Sequence, residues 1–160
     1  MVVEAHVLIN GSRVAIWAAI TDIEHAATIL SGVEKIEVLA KPASGLVGLR
    51  WRETRMLRGE PATVEKWITD AAENEYYTTR AEDQGFVFIT TGSITEAGGA
   101  VTLTSTHESV PQSFAARLML IPMGLFFRGV IRKAIQQDLN DIKSAEIGRA
   151  SCRERVCPKV

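Results

Sequence analysis

The sequence predicts an α+β protein, an antiparallel sheet of about seven strands wrapped around a long C-terminal helix, with two short helices after the first strand. Three observations carry this. β-rich runs follow one another from Val33 to Val110 with turn signals between them. Two short helical patterns separate the first strand from the rest. Residues 113–145 read as one long helix. Strands and helices never alternate as a parallel sheet requires.

Val2–Ile9 is β-rich and reads as the first strand. Asn10-Gly11-Ser12 turns the chain, and Ser12 caps a short helix whose buried face is Val14, Ile16, Trp17, Ile20 and then Ile23. Thr21-Asp22 opens a second short helix through Leu30, which Ser31-Gly32 ends. Val33–Ala40 alternates imperfectly and reads as the second strand. The glycine-containing stretch Lys41–Gly48 is a connection. It lacks the Gly-Lys-Ser/Thr ending that a phosphate loop needs.

Leu49–Leu57 and Ala62–Thr69 flank the turn Arg58-Gly59-Glu60-Pro61. Pairing Leu57 with Ala62 sets Arg55 opposite Val64, Glu53 opposite Lys66 and Trp51 opposite Ile68. A one-residue slip would set Glu53 on Glu65 and Arg52 on Lys66, two like-charge pairs. Arg50, Arg52, Thr54, Thr63 and Glu65 form the polar face, so Trp51, Glu53, Arg55, Val64, Lys66 and Ile68 point inward.

Glu75–Ala81 and Phe86–Glu96 flank the turn Glu82–Gly85, and Gly98-Gly99 joins Phe86–Glu96 to Ala100–Val110. Pairing Ala97 with Ala100 sets Ile94 on Leu103, Gly92 on Ser105 and Thr90 on His107. Phe86, Phe88, Val101 and Leu103 share that parity and point at the helix. A three-residue turn would bring Tyr76 opposite Gly92 on the same face. Pro111 closes the last strand and Ser113 caps the helix. Phe127, Ile131, Ile135, Leu139 and Ile142 recur at three- and four-residue steps, with Arg128, Arg132, Lys133 and Gln136 on the other face. Leu118–Phe127 is apolar all round, and Pro122 within it is expected to kink the helix.

At 160 residues a single domain is expected, and 46% hydrophobic with 23% charged side chains is ordinary for a globular chain. A net charge of −1 builds no basic footprint, so no nucleic-acid partner is expected. The start Met1-Val-Val-Glu-Ala-His6 is unlike a signal peptide, and the apolar runs fall short of a membrane span. A cytoplasmic protein is the simplest expectation. Cys152 and Cys157 both lie in residues 146–160, where the composition shifts. Glu146-Ile-Gly-Arg-Ala-Ser-Cys-Arg-Glu-Arg-Val156 resembles the translation of a common sequencing adapter. The domain is therefore expected to be residues 1–145, followed by read-through sequence or a disordered tail. Two cysteines without further partners make half a metal site.

The element order, with Ser12-Arg-Val-Ala-Ile-Trp-Ala-Ala-Ile-Thr-Asp22, Gly48-Leu-Arg-Trp-Arg-Glu-Thr54 and Asp138-Leu-Asn-Asp-Ile-Lys143, resembles the START-like (SRPBCC) superfamily over Val2 to about Ala145. That superfamily includes the birch-pollen allergen, lipid-transport proteins and polyketide cyclase/dehydrase proteins. The resemblance implies a helix-grip fold whose sheet leaves a cavity against the long helix. Members bind lipids, sterols, quinones, polyketides or plant hormones there.

A cavity of this kind makes inward polar residues the informative ones. Glu53, Arg55 and Lys66 are candidates to orient a ligand or to form a structural ion cluster. His107 is a candidate to bind a ligand oxygen or move a proton. Trp51, Tyr76, Phe86, Phe88, Leu103, Leu118 and Leu125 complete the expected ligand wall. His6 and His25 have no metal-ligand partner at useful spacing, so neither metal nor cofactor is expected. No serine nucleophile elbow or Cys/His pair appears. The first expectation is a non-enzymatic binding or transfer protein for a hydrophobic small molecule such as a lipid, quinone or polyketide. The second is a polyketide cyclase or dehydratase with His107 as acid/base, and the third a protein-interaction module without ligand. The apolar stretch Leu118–Phe127 is either buried under the sheet or touches a membrane or dimer partner transiently.

Overall fold

The computed structural model describes residues 1–57 and 59–154, except for the side chains of residues 120, 123 and 150–154. The strands are β1 (Val2–Ile9), β2 (Val33–Ala40), β3 (Arg50–Leu57), β4 (Glu60–Ala72), β5 (Tyr76–Asp83), β6 (Phe86–Ala97) and β7 (Ala100–Pro111). The helices are α1 (Arg13–Thr21), α2 (Ala26–Ile29), α3 (Phe114–Phe126) and α4 (Arg128–Glu154), with a 3-10 turn at Ile23–His25. The strands form one curved antiparallel sheet in the order β1-β7-β6-β5-β4-β3-β2. From β2 to β7 each strand pairs with its neighbour in sequence. β1 and β2 are the two edges, and α1 and α2 carry the chain from one edge to the other.

Ser12 Oγ accepts from Ala15 N at 3.1 Å and caps α1, and Ser113 Oγ accepts from Ala116 N at 3.1 Å at the start of α3. Each hydroxyl satisfies one orphan donor of a helix start. Asp22 gives the 3-10 turn no cap; its carboxylate meets His25 Nδ1 at 2.8 Å instead. The main core joins Ala5 and Ile9 of β1, Ile16 and Ile20 of α1, Ile94, Val101 and Leu103 of the β6–β7 hairpin, and Leu139 of α4. A second cluster is Ile23, Trp51 and Ile68. Tyr77 packs against both. Of the expected stripe, Leu139 is buried in the core, which contributes about 1.5–3 kcal/mol, Ile135 and Ile142 pack against it partly buried, and Phe127 at the break is exposed.

Three expectations need correction. First, the single long helix is two helices, bent by 65° where α3 meets α4. The break falls at Phe127, between Gly124 and Gly129, whose helix propensity is low, while Pro122 stays inside α3. Second, the β3–β4 register is two residues from the expected one. Leu57 pairs with Glu60, Glu53 with Val64 and Trp51 with Lys66, because the turn is tighter and carries Gly59 at φ +85°. Arg52 then opposes Glu65. Third, the β5–β6 turn has two residues, Gln84 and Gly85, both at positive φ (46° and 78°). Tyr77, not Tyr76, therefore sits opposite Gly92. The β6–β7 register is as expected, with Ile94 on Leu103, Gly92 on Ser105 and Thr90 on His107. α4 continues past Ala145 to Glu154, with Arg149 Nη1 donating to the buried Glu146 at 3.0 Å. The side chain of Cys152 and the whole of Cys157 lie outside the described residues.

Candidate functional site

Alternation along β3 and β4 puts Trp51, Glu53, Arg55 and Lys66 on the concave side of the sheet, under α4. Glu53 is 5% exposed and is the hub of a charged cluster. Its Oε1 accepts from Arg55 Nε and from Lys66 Nζ, the latter at 2.8 Å, and its Oε2 accepts from Trp51 Nε1 at 3.2 Å. Arg55 reaches across to α4, donating from Nη1 to Asp138 Oδ1 at 3.1 Å and from Nη2 to Asp138 Oδ2 at 2.8 Å. The row Lys66–Glu53–Arg55–Asp138 holds two cations and two anions, so the buried charge is balanced. The bidentate Arg55–Asp138 pair also ties α4 to β3.

Burial alone would raise the Glu53 carboxyl, but the charges of Lys66 and Arg55 and their hydrogen bonds overcome it and hold the group at about 2. Asp138 goes the other way: its burial outweighs the attraction of Arg55, and its carboxyl is raised. Burial, then the negative charges of Glu53 and Asp138, push the Tyr77 phenol up to about 12. At neutral pH Tyr77 is thus a neutral donor.

The cluster forms one wall of a cavity of about 140 Å³ between the sheet, α1, α2 and α4. Its apolar wall includes Ile20, Ile23, Leu30, Trp51, Leu103, Ile135, Leu139 and Ile142, and its polar groups add Tyr77, Thr79, Thr90, Ser105 and Asp138 to Glu53, Arg55 and Lys66. The Tyr77 ring lies edge-on to Trp17, with centroids 6.3 Å apart. It also presses on Gly92, where a Cβ would stand 3.4 Å from Tyr77 Cε1. Among the described residues the Tyr77 hydroxyl makes no hydrogen bond, and Lys66 spends a single donor, on Glu53. The cavity thus combines apolar walls with donors that remain available to an acceptor oxygen.

Of the expected wall, Trp51, Glu53, Arg55, Lys66 and Leu103 line the cavity. The others do not. Tyr76 points to the convex side and donates to Asp70 Oδ2 at 2.9 Å. Phe86 is buried and Phe88 stacks between Phe86 and His107, with centroids 6.0 and 5.7 Å away, at the far end of β6. Leu118 and Leu125 are 57% and 78% exposed, because α3 swings away from the line of α4. His107 stands behind Thr90: its Nδ1 shares a hydrogen bond with Thr90 Oγ1 at 2.9 Å and its Nε2 lies 3.4 Å from Ser109 Oγ. Both ring nitrogens are engaged by hydroxyls, and only Thr90 meets the cavity. The residues missed from sequence are Tyr77 and Asp138. The signal for Asp138 was present, since it falls three residues after Ile135 and four before Ile142, on the rim of the buried stripe.

Burial, then Lys66 and the amino terminus, lower the His107 imidazole from 6.5 to about 4. The unfolded chain takes up this proton near 6.5, whereas the folded chain takes it up only near 4, so stability falls as pH drops through that window. The loss is about 2–3 kcal/mol. Glu53 adds a further loss below 4.5, and Asp138, with its raised carboxyl, opposes it. Urea unfolding of His107→Gln against the parent at pH 7 and pH 4.5 checks this. The variant is expected to lose less stability on acidification, and an equal loss in both would reject the assignment.

No family model matches the chain, and no curated protein matches it either. Solved structures do. The chain has the START/SRPBCC helix-grip fold. The Zhui aromatase/cyclase from Streptomyces sp. R1128 superposes with a TM-score of 0.74 at 19% identity, covering 100% of this chain and 99% of that one. Ara h 8.0201 superposes at 0.72 and 13% identity over 92% and 98% of the two chains. A START superfamily protein from Mycobacterium smegmatis does so at 0.65 and 17% identity over 92% and 95%. At these identities the likeness is one of fold. Among the described residues no single helix is long and apolar enough to cross a membrane, and no group of three His, Cys, Asp or Glu side chains gathers as a metal would require.

Proposed function

We propose that residues 1–145 form a cytoplasmic binding or transfer domain for a hydrophobic small molecule that carries an acceptor oxygen. The observation that carries this is the cavity itself: an apolar space beside two donors, Tyr77 Oη and Lys66 Nζ, that keep hydrogen-bonding capacity. Glu53 and Asp138 are already committed to Arg55 and Lys66, so the ligand need not pair with them. The volume of about 140 Å³ is small beside the roughly 300–1,000 Å³ of sites for drug-sized ligands. A quinone- or polyketide-like ring suits that volume better than a long acyl chain. The apolar stretch Leu118–Phe127 suits the transient membrane contact that transfer would need.

Native mass spectrometry of the purified protein tests for a co-purified ligand, and menadione serves as the ring-sized probe, read by quenching of Trp17 and Trp51. Saturable quenching is expected. Tyr77→Phe should weaken it roughly two- to tenfold, the worth of one hydrogen bond, with stability almost unchanged because the hydroxyl has no partner to lose. No bound species, no quenching across a panel of quinones and phenols, and an inert Tyr77→Phe would together reject the proposal.

A second reading, a cyclase-like enzyme, is favoured by the likeness to the Zhui aromatase/cyclase. Chemistry there would rest on orientation of a reactive substrate. His107 as its acid/base would have to act through Thr90, since both its nitrogens are engaged. Turnover of a poly-β-ketone mimic that His107→Gln abolishes would favour this reading over simple binding.

A further inference from the structure

We propose that α3 docks on an anionic membrane surface, lying in the interface plane. This goes beyond the cavity reading and stands whether or not the cavity holds a ligand. Phe114, Leu118, Ile121 and Leu125 follow one another at steps of four, three and four residues, which places them on one helical face. Their exposures are 78%, 57%, 68% and 78%. Ala116, the buried residue among the described side chains of α3, lies on the opposite side. Met119 and Phe126, 56% and 71% exposed, lie about 100° further round the helix and extend the exposed apolar surface onto its flank. The α4 stripe of Ile135, Leu139 and Ile142 faces the core, and the 65° bend separates the two surfaces.

Charge selects the occupant. Between Gln112 and Gln137 the chain carries Arg117, Arg128, Arg132 and Lys133 and no acidic residue, although the whole chain has a net charge of −1. All four cations are exposed, and among the described residues none forms an ion pair. An exposed apolar helix bracketed by cations matches a bilayer rich in anionic headgroups: the stripe enters the acyl boundary while the arginines and lysine stay at the phosphates. A second copy of the chain fits worse. A two-fold interface through α3 would bring together two copies of a segment that carries cations and no acidic residue. At 13 residues α3 is too short to span the hydrocarbon.

Co-sedimentation of the full chain with phosphatidylcholine vesicles, with and without about one-third phosphatidylglycerol, tests the proposal. Binding is expected on the anionic vesicles at low salt and should weaken at high salt. The variant Leu118→Gln/Leu125→Gln, at two exposed positions, should bind at least about tenfold more weakly. The variant Arg128→Gln/Arg132→Gln/Lys133→Gln should lose roughly a hundredfold, about fivefold per cation, and with it the preference for anionic lipid. Equal binding to both vesicles, or binding to neither, would overturn the proposal. So would a dimer in light scattering that Leu118→Gln/Leu125→Gln converts to monomer. Menadione quenching by the same variants should match the parent, so loss of membrane binding is separable from loss of the cavity.

Discussion

Replacing Glu53 by alanine is expected to destabilise the protein by about 3–5 kcal/mol, a large part of the roughly 5–15 kcal/mol that a domain possesses. The carboxylate is 5% exposed and accepts from three side chains: Trp51, Arg55 and Lys66. Its removal leaves Lys66 without a counter-charge on an apolar wall and strips Arg55 of one of its two anions. Asp138 still holds Arg55, so the exposed deficit is one positive charge and not two. Glu53→Gln should also be costly, since it keeps the shape and the contact with Trp51 but not the charge. The double variant Glu53→Met/Lys66→Met should recover most of the loss, because a matched apolar pair avoids desolvation. Urea unfolding of the three variants measures this. A cost below about 1 kcal/mol for Glu53→Ala would mean that the cluster is solvated and that the cavity is wet and open.

Leu103→Ala should cost about 2–5 kcal/mol, the sum of lost transfer energy and a residual void. Leu103 is 2% exposed, belongs to the main core and also lines the cavity. The void would therefore open into the existing space of about 140 Å³ and enlarge it. Two consequences separate this from an ordinary core truncation. A ligand slightly larger than the parent accepts should bind the variant more tightly. At a hundredfold excess over its dissociation constant that ligand should restore about 2.7 kcal/mol of stability. Thermal unfolding with and without a bicyclic and a tricyclic quinone gives both numbers. Destabilisation with no ligand rescue would place Leu103 in the packed core alone.

Along β3 and β4 alternation fixes the face of each side chain but not its cross-strand partner. Parity places Trp51, Glu53, Arg55 and Lys66 on one face, and they share it even though the β3–β4 pairing differs by two residues from the expected one. An even shift exchanges partners without exchanging faces. The β6–β7 register could be read outright, because Gly98 and Gly99 both take positive φ (59° and 79°) and so fit a two-residue turn. The β5–β6 turn carries a weaker version of the same signal, with Gln84 in the first position. A three-residue turn would send Tyr76 inward in place of Tyr77, an odd shift that changes faces.

Local order along the chain accounts for the helix-grip architecture, the caps at Ser12 and Ser113, the α4 stripe and the inward set of charges. Each of these depends on neighbours within a few positions, whose periodicity and turn chemistry are written in consecutive residues. The meeting of Arg55 with Asp138, 83 positions apart, depends on how the whole sheet bends beneath α4. The exposure of α3 likewise follows from a break at Phe127 that sends an apolar segment away from the core it was expected to join. Apolar composition measures the gain from covering a surface. Which surface lies within reach is a matter of three-dimensional position, and short-range pattern does not contain it.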